Sequence, residues 1–224
     1  MLDLPAQTIY NRRIPKSKFY EKLAAGSKLK ELFVTQVDSI VWKHKLSRET
    51  TNLEPTEEVR EIQVFEIVLK QKDLSKDVLI NIDKAIPYPI LHLLRWGEEA
   101  KLVIAYKQKH ATNENRAVVQ TYFESEWQRS SEIAGNLLQG LTLGAVYDNM
   151  VRRLMPVQDK RLESLPEAVD NQLQRAKLER ECARLEAQLR NEMQFDKKVE
   201  LNLELRSKQR QLKERYESTL VQED

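Results

Sequence analysis

The stretch Glu61-Ile-Gln-Val-Phe-Glu-Ile-Val-Leu-Lys70 decides the fold. In an extended chain Ile62, Val64 and Val68 face one way while Phe65, Ile67 and Leu69 face the other, so both sides are apolar and both must be covered. That pattern predicts a central strand. Asp73 and Ser75 follow, each able to cap a helix, and Leu74, Val78, Leu79, Ile82 and Ile86 then recur at helical spacing until Pro87 stops them. Pro89-Ile-Leu-His-Leu-Leu-Arg-Trp96 extends again. Strand, helix and strand in this order predict a parallel pair joined by a crossover helix.

Working outward, residues 17–33 place Phe19, Tyr20, Leu23, Leu29, Leu32 and Phe33 at mostly helical spacing, with a break at Gly26-Ser27. The next segment alternates, Ile40, Trp42, His44 and Leu46 on one face against Val41, Lys43 and Lys45 on the other, and reads as a strand with one wet side. Residues 47–60 are polar and read as a surface loop. Beyond Gly97-Glu98-Glu99 come Leu102-Val-Ile-Ala-Tyr106, a polar stretch over 107–116, and Val118-Val-Gln-Thr-Tyr-Phe-Glu-Ser-Glu-Trp127, which predict two antiparallel hairpins. The fold class is α/β, or α+β, with a mixed sheet of about five strands and flanking helices. This domain, with its N-terminal helix, spans 1–128, and connecting helices fill 129–156, where Leu143, Val146, Tyr147, Met150, Val151 and Leu154 form one stripe before Pro156.

The C-terminal segment 166–224 reads as a coiled-coil hairpin. Leu178, Cys182, Leu185 and Leu189 follow the four-three-four spacing of a helical seam, and Val199, Leu201, Leu203, Leu205, Leu212, Tyr216 and Leu220 stripe a second helix. The turn falls near Gln194-Phe195-Asp196. A seam this apolar needs a partner surface, and Leu178, Leu185, Leu189, Leu205 and Leu212 are the expected partner-binding residues, facing another protein or a second copy of the chain. Cys182, in a seam position, is expected to act as a small hydrophobe.

Composition removes several chemistries. One cysteine among 224 residues excludes internal disulfides and multi-thiolate zinc sites, and three scattered histidines do not make a histidine-rich metal site. Neither phosphate-cradling glycine motif occurs. No apolar run reaches the roughly 20 residues of a bilayer span, and the start lacks a secretory leader, so a cytoplasmic protein without membrane contact is expected. Charge is uneven: residues 1–48 hold ten Lys and Arg against four Asp and Glu. Arg12, Arg13, Lys16 and Lys18, with Tyr10, Phe19 and Tyr20 nearby, are the candidate nucleic-acid contacts, cations for phosphate and rings for bases. Equally, Ile14, Phe19 and Tyr20 would anchor a solvated segment to the sheet.

The sharpest catalytic candidates are Asp38, Glu66 and Lys70. Restriction-type nucleases of the PD-(D/E)xK kind hold Mg²⁺ with acids on adjacent strands and set a lysine beside the attacking water. Asp38 opens one strand and Glu66 and Lys70 share a face of the next, but that motif places its acid two residues before the lysine, where this chain has Val68. The competing reading makes Glu66 a structural carboxylate paired with Lys70, His92 or Arg95. Mg²⁺ belongs to the nuclease alternative alone; otherwise no cofactor and no metal site is expected.

Five stretches carry a resemblance: Asn11-Arg-Arg-Ile-Pro-Lys-Ser-Lys-Phe-Tyr20, Ile62-Gln-Val-Phe-Glu66, Asp83-Lys-Ala-Ile-Pro-Tyr-Pro-Ile90, Tyr122-Phe-Glu-Ser-Glu-Trp127 and Gln194-Phe-Asp-Lys-Lys-Val-Glu-Leu-Asn202. Through them the whole chain resembles a bacterial domain-of-unknown-function family, DUF4391. The resemblance implies a setting beside helicases and DNA methyltransferases of restriction-modification or phage-defence clusters. Three functions are therefore expected in order: a non-catalytic adaptor subunit of a DNA-defence or restriction-modification assembly that docks through its hairpin onto helicase or methyltransferase subunits, a divergent Mg²⁺-dependent nuclease, and a DNA-binding module.

Overall fold

The computed structural model describes residues 2–22, 26–110, 113–133, 135–156 and 164–220. In chain order it contains β1 (Ile9–Arg13), α1 (Ser17–Lys22), α2 (Ser27–Gln36), β2 (Val37–Leu46), α3 (Arg48–Thr51), β3 (Ile62–Leu69), α4 (Lys76–Ala85), β4 (Ile90–Trp96), β5 (Glu99–His110), β6 (Asn113–Glu124), β7 (Gln128–Arg129), α5 (Leu143–Leu154), α6 (Leu165–Asn191) and α7 (Phe195–Leu220). Two compact units result, Met1–Pro156 and Val157–Asp224.

The first unit is a mixed α/β domain built on one sheet of order β1-β2-β3-β4-β5-β6, with β7 added to β5. The β3–β4 pair is parallel, as its α4 crossover requires, and every other pair is antiparallel. The sheet has seven strands rather than about five. Polar β1 and two-residue β7 account for the difference, because neither carries an apolar alternation. The polar 107–116 stretch extends both strands: β5 runs to His110 and β6 starts at Asn113. Ser75 is the cap that starts α4, its side chain accepting from the Asp77 N–H.

On one face of the sheet Phe65, Ile67 and Leu69 pack with Phe19, Phe33, Val78, Leu79 and Ile82, so α1, α2 and α4 cover that side. None of the buried residues of α5 belongs to this core, yet α5 packs on β5 and β6. It therefore covers the opposite face, where Ile62, Val64, Leu91 and Ile104 are buried. Each such side chain contributes roughly 1.5–3 kcal/mol over exposure. All six residues of the predicted α5 stripe are buried. Past the last β4–β5 partner, the Tyr147 hydroxyl donates to the Ala105 carbonyl and accepts from the Lys107 N–H, supplying the bonds that a neighbouring strand would make.

Strand β2 departs from the expected alternation. Its register slips between Trp42 and His44, so Trp42 packs with Phe65 on the helix side while Leu46, opposite Ile62, lies on the other. An extra residue in one strand reverses every side chain beyond it.

The second unit is an antiparallel helical hairpin. Ser164 and Glu167 form a capping box at the start of α6, with Pro166 in its first turn. Glu181 pairs with Lys208 at 2.7 Å, and Arg175 donates to the Arg215 carbonyl at 3.1 Å. Cys182, Leu185 and Leu205 form its core, with Leu189 and Leu201 packed against them. Burial raises the Cys182 thiol above its ordinary pKa. Among the described residues no helix is long and apolar enough to cross a membrane.

Candidate functional site

The three residues weighed for nuclease chemistry do not converge. Asp38, exposed near the start of β2, and Lys70, just past β3, share Lys16 as a charged neighbour. Burial, followed by the Lys70 charge, holds the Lys16 ammonium below the ordinary lysine range, while Asp38 opposes the shift. Both lysines are tied to backbone: Lys16 donates to the Val37 carbonyl at 2.7 Å and Lys70 to the Val34 carbonyl at 2.8 Å. Glu66 shares neither contact. Arg95 Nη1 lies 3.4 Å from its Oε2 and Lys43 Nζ 3.8 Å from its Oε1. Of the three partners expected for Glu66, only Arg95 meets it. A divalent ion needs several anionic or neutral oxygens, and Glu66 has cations around it instead. Among the described residues no group of three or more His, Cys, Asp or Glu side chains gathers, so these residues do not fit Mg²⁺.

The basic N-terminal segment divides by residue type. Its rings are structural: Phe19 is buried in the helix-side core, Ile14 and Tyr20 pack on that core, and Tyr10 leans on Trp42 with ring centroids 4.2 Å apart. Its cations are outside. The Arg12 guanidinium lies 4.6 Å over the Tyr10 ring, and Arg12, Arg13 and Lys18 are exposed, while Lys16 is partly covered. Lys70, just past β3, joins Arg13 and Lys16 in this group of charges.

The most heavily charged interior site was not among the sequence candidates. Asp83, near the end of α4, is completely buried, and so is His92 of β4. Tyr122 donates to Asp83 Oδ2 at 2.7 Å, His92 Nε2 lies 3.1 Å from the same oxygen, and Lys107 Nζ lies 2.9 Å from Oδ1. The three ammonium hydrogens of Lys107 go to the carbonyls of Asp83, Ile86 and Tyr88, at 3.1, 2.9 and 2.8 Å. A cation at the end of a helix that satisfies its last carbonyls is a C-terminal cap with favourable dipole alignment. Burial opposes the Asp83 charge most strongly, but His92 and Lys107 more than offset it, and the carboxyl stays below its ordinary range. Burial pulls Lys107 below the ordinary lysine range against the attraction of Asp83. Burial and the neighbouring carboxylate push the Tyr122 phenol upward. The Asp83 and His92 side chains have no solvent exposure, while Tyr122 is partly buried. The chemistry of this cluster is to lock α4 and the chain after it onto β4, β5 and β6. Asp83 and Tyr122 stand in two of the stretches that carry the resemblance, which was the one signal available for them.

In the hairpin, the leucines expected to meet a partner meet the other helix instead. Leu185 and Leu205 are core residues, Leu189 packs on them, Leu178 is buried and Leu212 is partly buried. The exposed apolar residues are different ones: besides Leu173 of α6, Met193, Phe195, Val199 and Leu203 are 92, 78, 44 and 62% exposed. Two of them lie in the quoted stretch Gln194–Asn202.

No curated protein and no solved structure matches the chain. A family match covers nearly its whole length, the described sheet unit and most of the hairpin together. The chain belongs to the family described as Domain of unknown function (DUF4391), whose model matches residues 2–212.

Proposed function

We propose that this chain is a non-catalytic adaptor that works in the cytoplasm by holding a partner protein on its helical hairpin. One observation carries this reading. Phe195, Val199 and Leu203 recur every four residues along α7 and are exposed, with Met193 beside them at the turn. The seam side of α7 is already filled by Leu201 and Leu205. This second row has no use within the hairpin core, and apolar rows of this kind mark interaction surfaces. Anchors at i, i+4 and i+8 suit a helix laid into a groove or against another helix. The setting implied by the resemblance, a bacterial DNA-defence or restriction-modification assembly, names helicase or methyltransferase subunits as the partners to try.

The test is co-purification of the full chain with those neighbouring gene products, compared with a Phe195→Ser/Val199→Ser/Leu203→Ser variant. Loss of the partner with unchanged helix content supports the proposal. Retention of the partner refutes it, and a parent mass twice that of the variant in light scattering assigns the row to a homodimer instead.

The Arg12, Arg13, Lys16, Lys18 and Lys70 surface favours a second reading, a DNA-binding module. Its affinity would fall steeply with added salt and again with Arg12→Ala/Arg13→Ala, because phosphate contacts release counterions. Binding insensitive to salt would remove this reading.

A further inference from the structure

The face of the sheet opposite α4 holds a cavity of about 570 Å³, whose lining includes Lys43, His44, Glu66 and Arg95. That volume is in the range of small-molecule sites. The slip in β2 creates it in part, since two adjacent residues, Lys43 and His44, both reach its lining. Three features show that its polar groups are not matched to one another. The Glu66 side chain is only 12% exposed, yet its cations stand at 3.4 and 3.8 Å. A charge-assisted contact normally closes to about 2.7–2.9 Å. Arg95 Nε and Ser130 Oγ are both buried and have no hydrogen-bond partner. Such orphaned donors are costly unless something fills them.

The charges in the cavity also have a sign. Lys43 and Arg95 face one carboxylate, which leaves one positive charge in excess. Arg95 has five donors; one Nη1 hydrogen is directed at Glu66 and the buried Nε–H has no partner, which leaves donor capacity for an oxyanion. Leu2, Leu4, Ile9 and Ile133 give the lining an apolar part, beside polar Asn11 and Ser131. We propose that this cavity binds a small organic anion: a carboxylate or phosphate-ester head seated on Arg95, Lys43 and Ser130, with its apolar body against Ile9, Leu4 and Ile133. Glu66 positions the two cations. This site is independent of the hairpin and of the adaptor reading.

Titration calorimetry on the full chain tests it with hexanoate and hexyl phosphate as probes, and with hexanol and inorganic phosphate as controls. Saturable binding of either probe is expected, at least tenfold weaker in Arg95→Gln and in Lys43→Gln, with no binding of hexanol. Whichever probe binds more tightly identifies the head group. Ile9→Glu, at an exposed position that leaves the core untouched, is expected to weaken binding by a similar factor through repulsion at the rim. The proposal is overturned if neither probe saturates, if the three variants bind like the parent, or if inorganic phosphate binds as tightly as hexyl phosphate, which would mark a bare anion contact without a pocket.

Discussion

Two buried carboxylates stand on opposite faces of one sheet, and they are held differently. Asp83 has a tyrosine at 2.7 Å, a lysine at 2.9 Å and a histidine at 3.1 Å, the last two buried and the tyrosine partly so. Glu66 has an arginine at 3.4 Å and a lysine at 3.8 Å, both partly in solvent. Removing an ion from water costs several kcal/mol, and only short, complete pairing returns that energy. Asp83 comes nearer to this condition, with three partners within 3.1 Å although its Oδ1 accepts no hydrogen bond, and Lys107 among them also holds the end of α4. Glu66 does not, and it lines a cavity. A buried charge cluster is therefore no guide to function by itself: the better-satisfied carboxylate is the structural one, and the poorly satisfied one marks where a ligand belongs.

The difference can be broken at its strongest point first. Lys107→Met removes the cation while leaving Asp83 buried, and is expected to lower unfolding free energy by about 3–5 kcal/mol in urea melts. Tyr122→Phe removes one hydrogen bond to a charged group and should cost about 1.5–3 kcal/mol in the same assay. Acid reads the same cluster. Because the Asp83 carboxyl titrates below its unfolded value, its contribution is complete above the ordinary carboxylate pKa of about 3.9 and is lost as pH falls through the lower folded value. The parent should therefore lose stability on acidification below about pH 4 more steeply than Asp83→Asn does, and parallel curves would show that Asp83 is not the group responsible. The smallest effect belongs to the other unit: Phe195→Ser/Val199→Ser/Leu203→Ser should leave the melting curve within about 0.5 kcal/mol per site, since these side chains are largely exposed. A larger loss would place them in a packed core.

The backbone plan was legible where periodicity was strong. Residues 61–70, the Val78–Ile82 stripe, the Leu143–Leu154 stripe and the Leu178–Leu189 seam each lie in the element that their spacing predicts. Strand β1 was hidden because Asn11, Arg12 and Arg13 give an edge strand a polar sequence, and edge pairing needs no apolar alternation. The slip in β2 was hidden because a bulge leaves no mark in composition, and it moved Lys43 and His44 into the cavity lining together. Lys107 opens the polar stretch 107–116, and nothing in its sequence neighbourhood marks it as a buried cation. Its meaning lies in a pairing with Asp83, 24 residues earlier, that only the packing of α4 on the sheet brings about. The hairpin seam was legible as apolar, but not which helix would bury it: the sister helix took the leucines and left Phe195, Val199 and Leu203 outside.

The most direct measurement is a pair of unfolding curves, Asp83→Asn beside Glu66→Gln, in one buffer at neutral pH. A loss of about 3 kcal/mol or more for Asp83→Asn, with Glu66→Gln within about 1 kcal/mol of the parent, is the predicted result. Equal losses, or a larger loss at Glu66, would mean that Glu66 is as firmly built into the fold as Asp83 and would contradict the division between a structural carboxylate and a ligand-facing one.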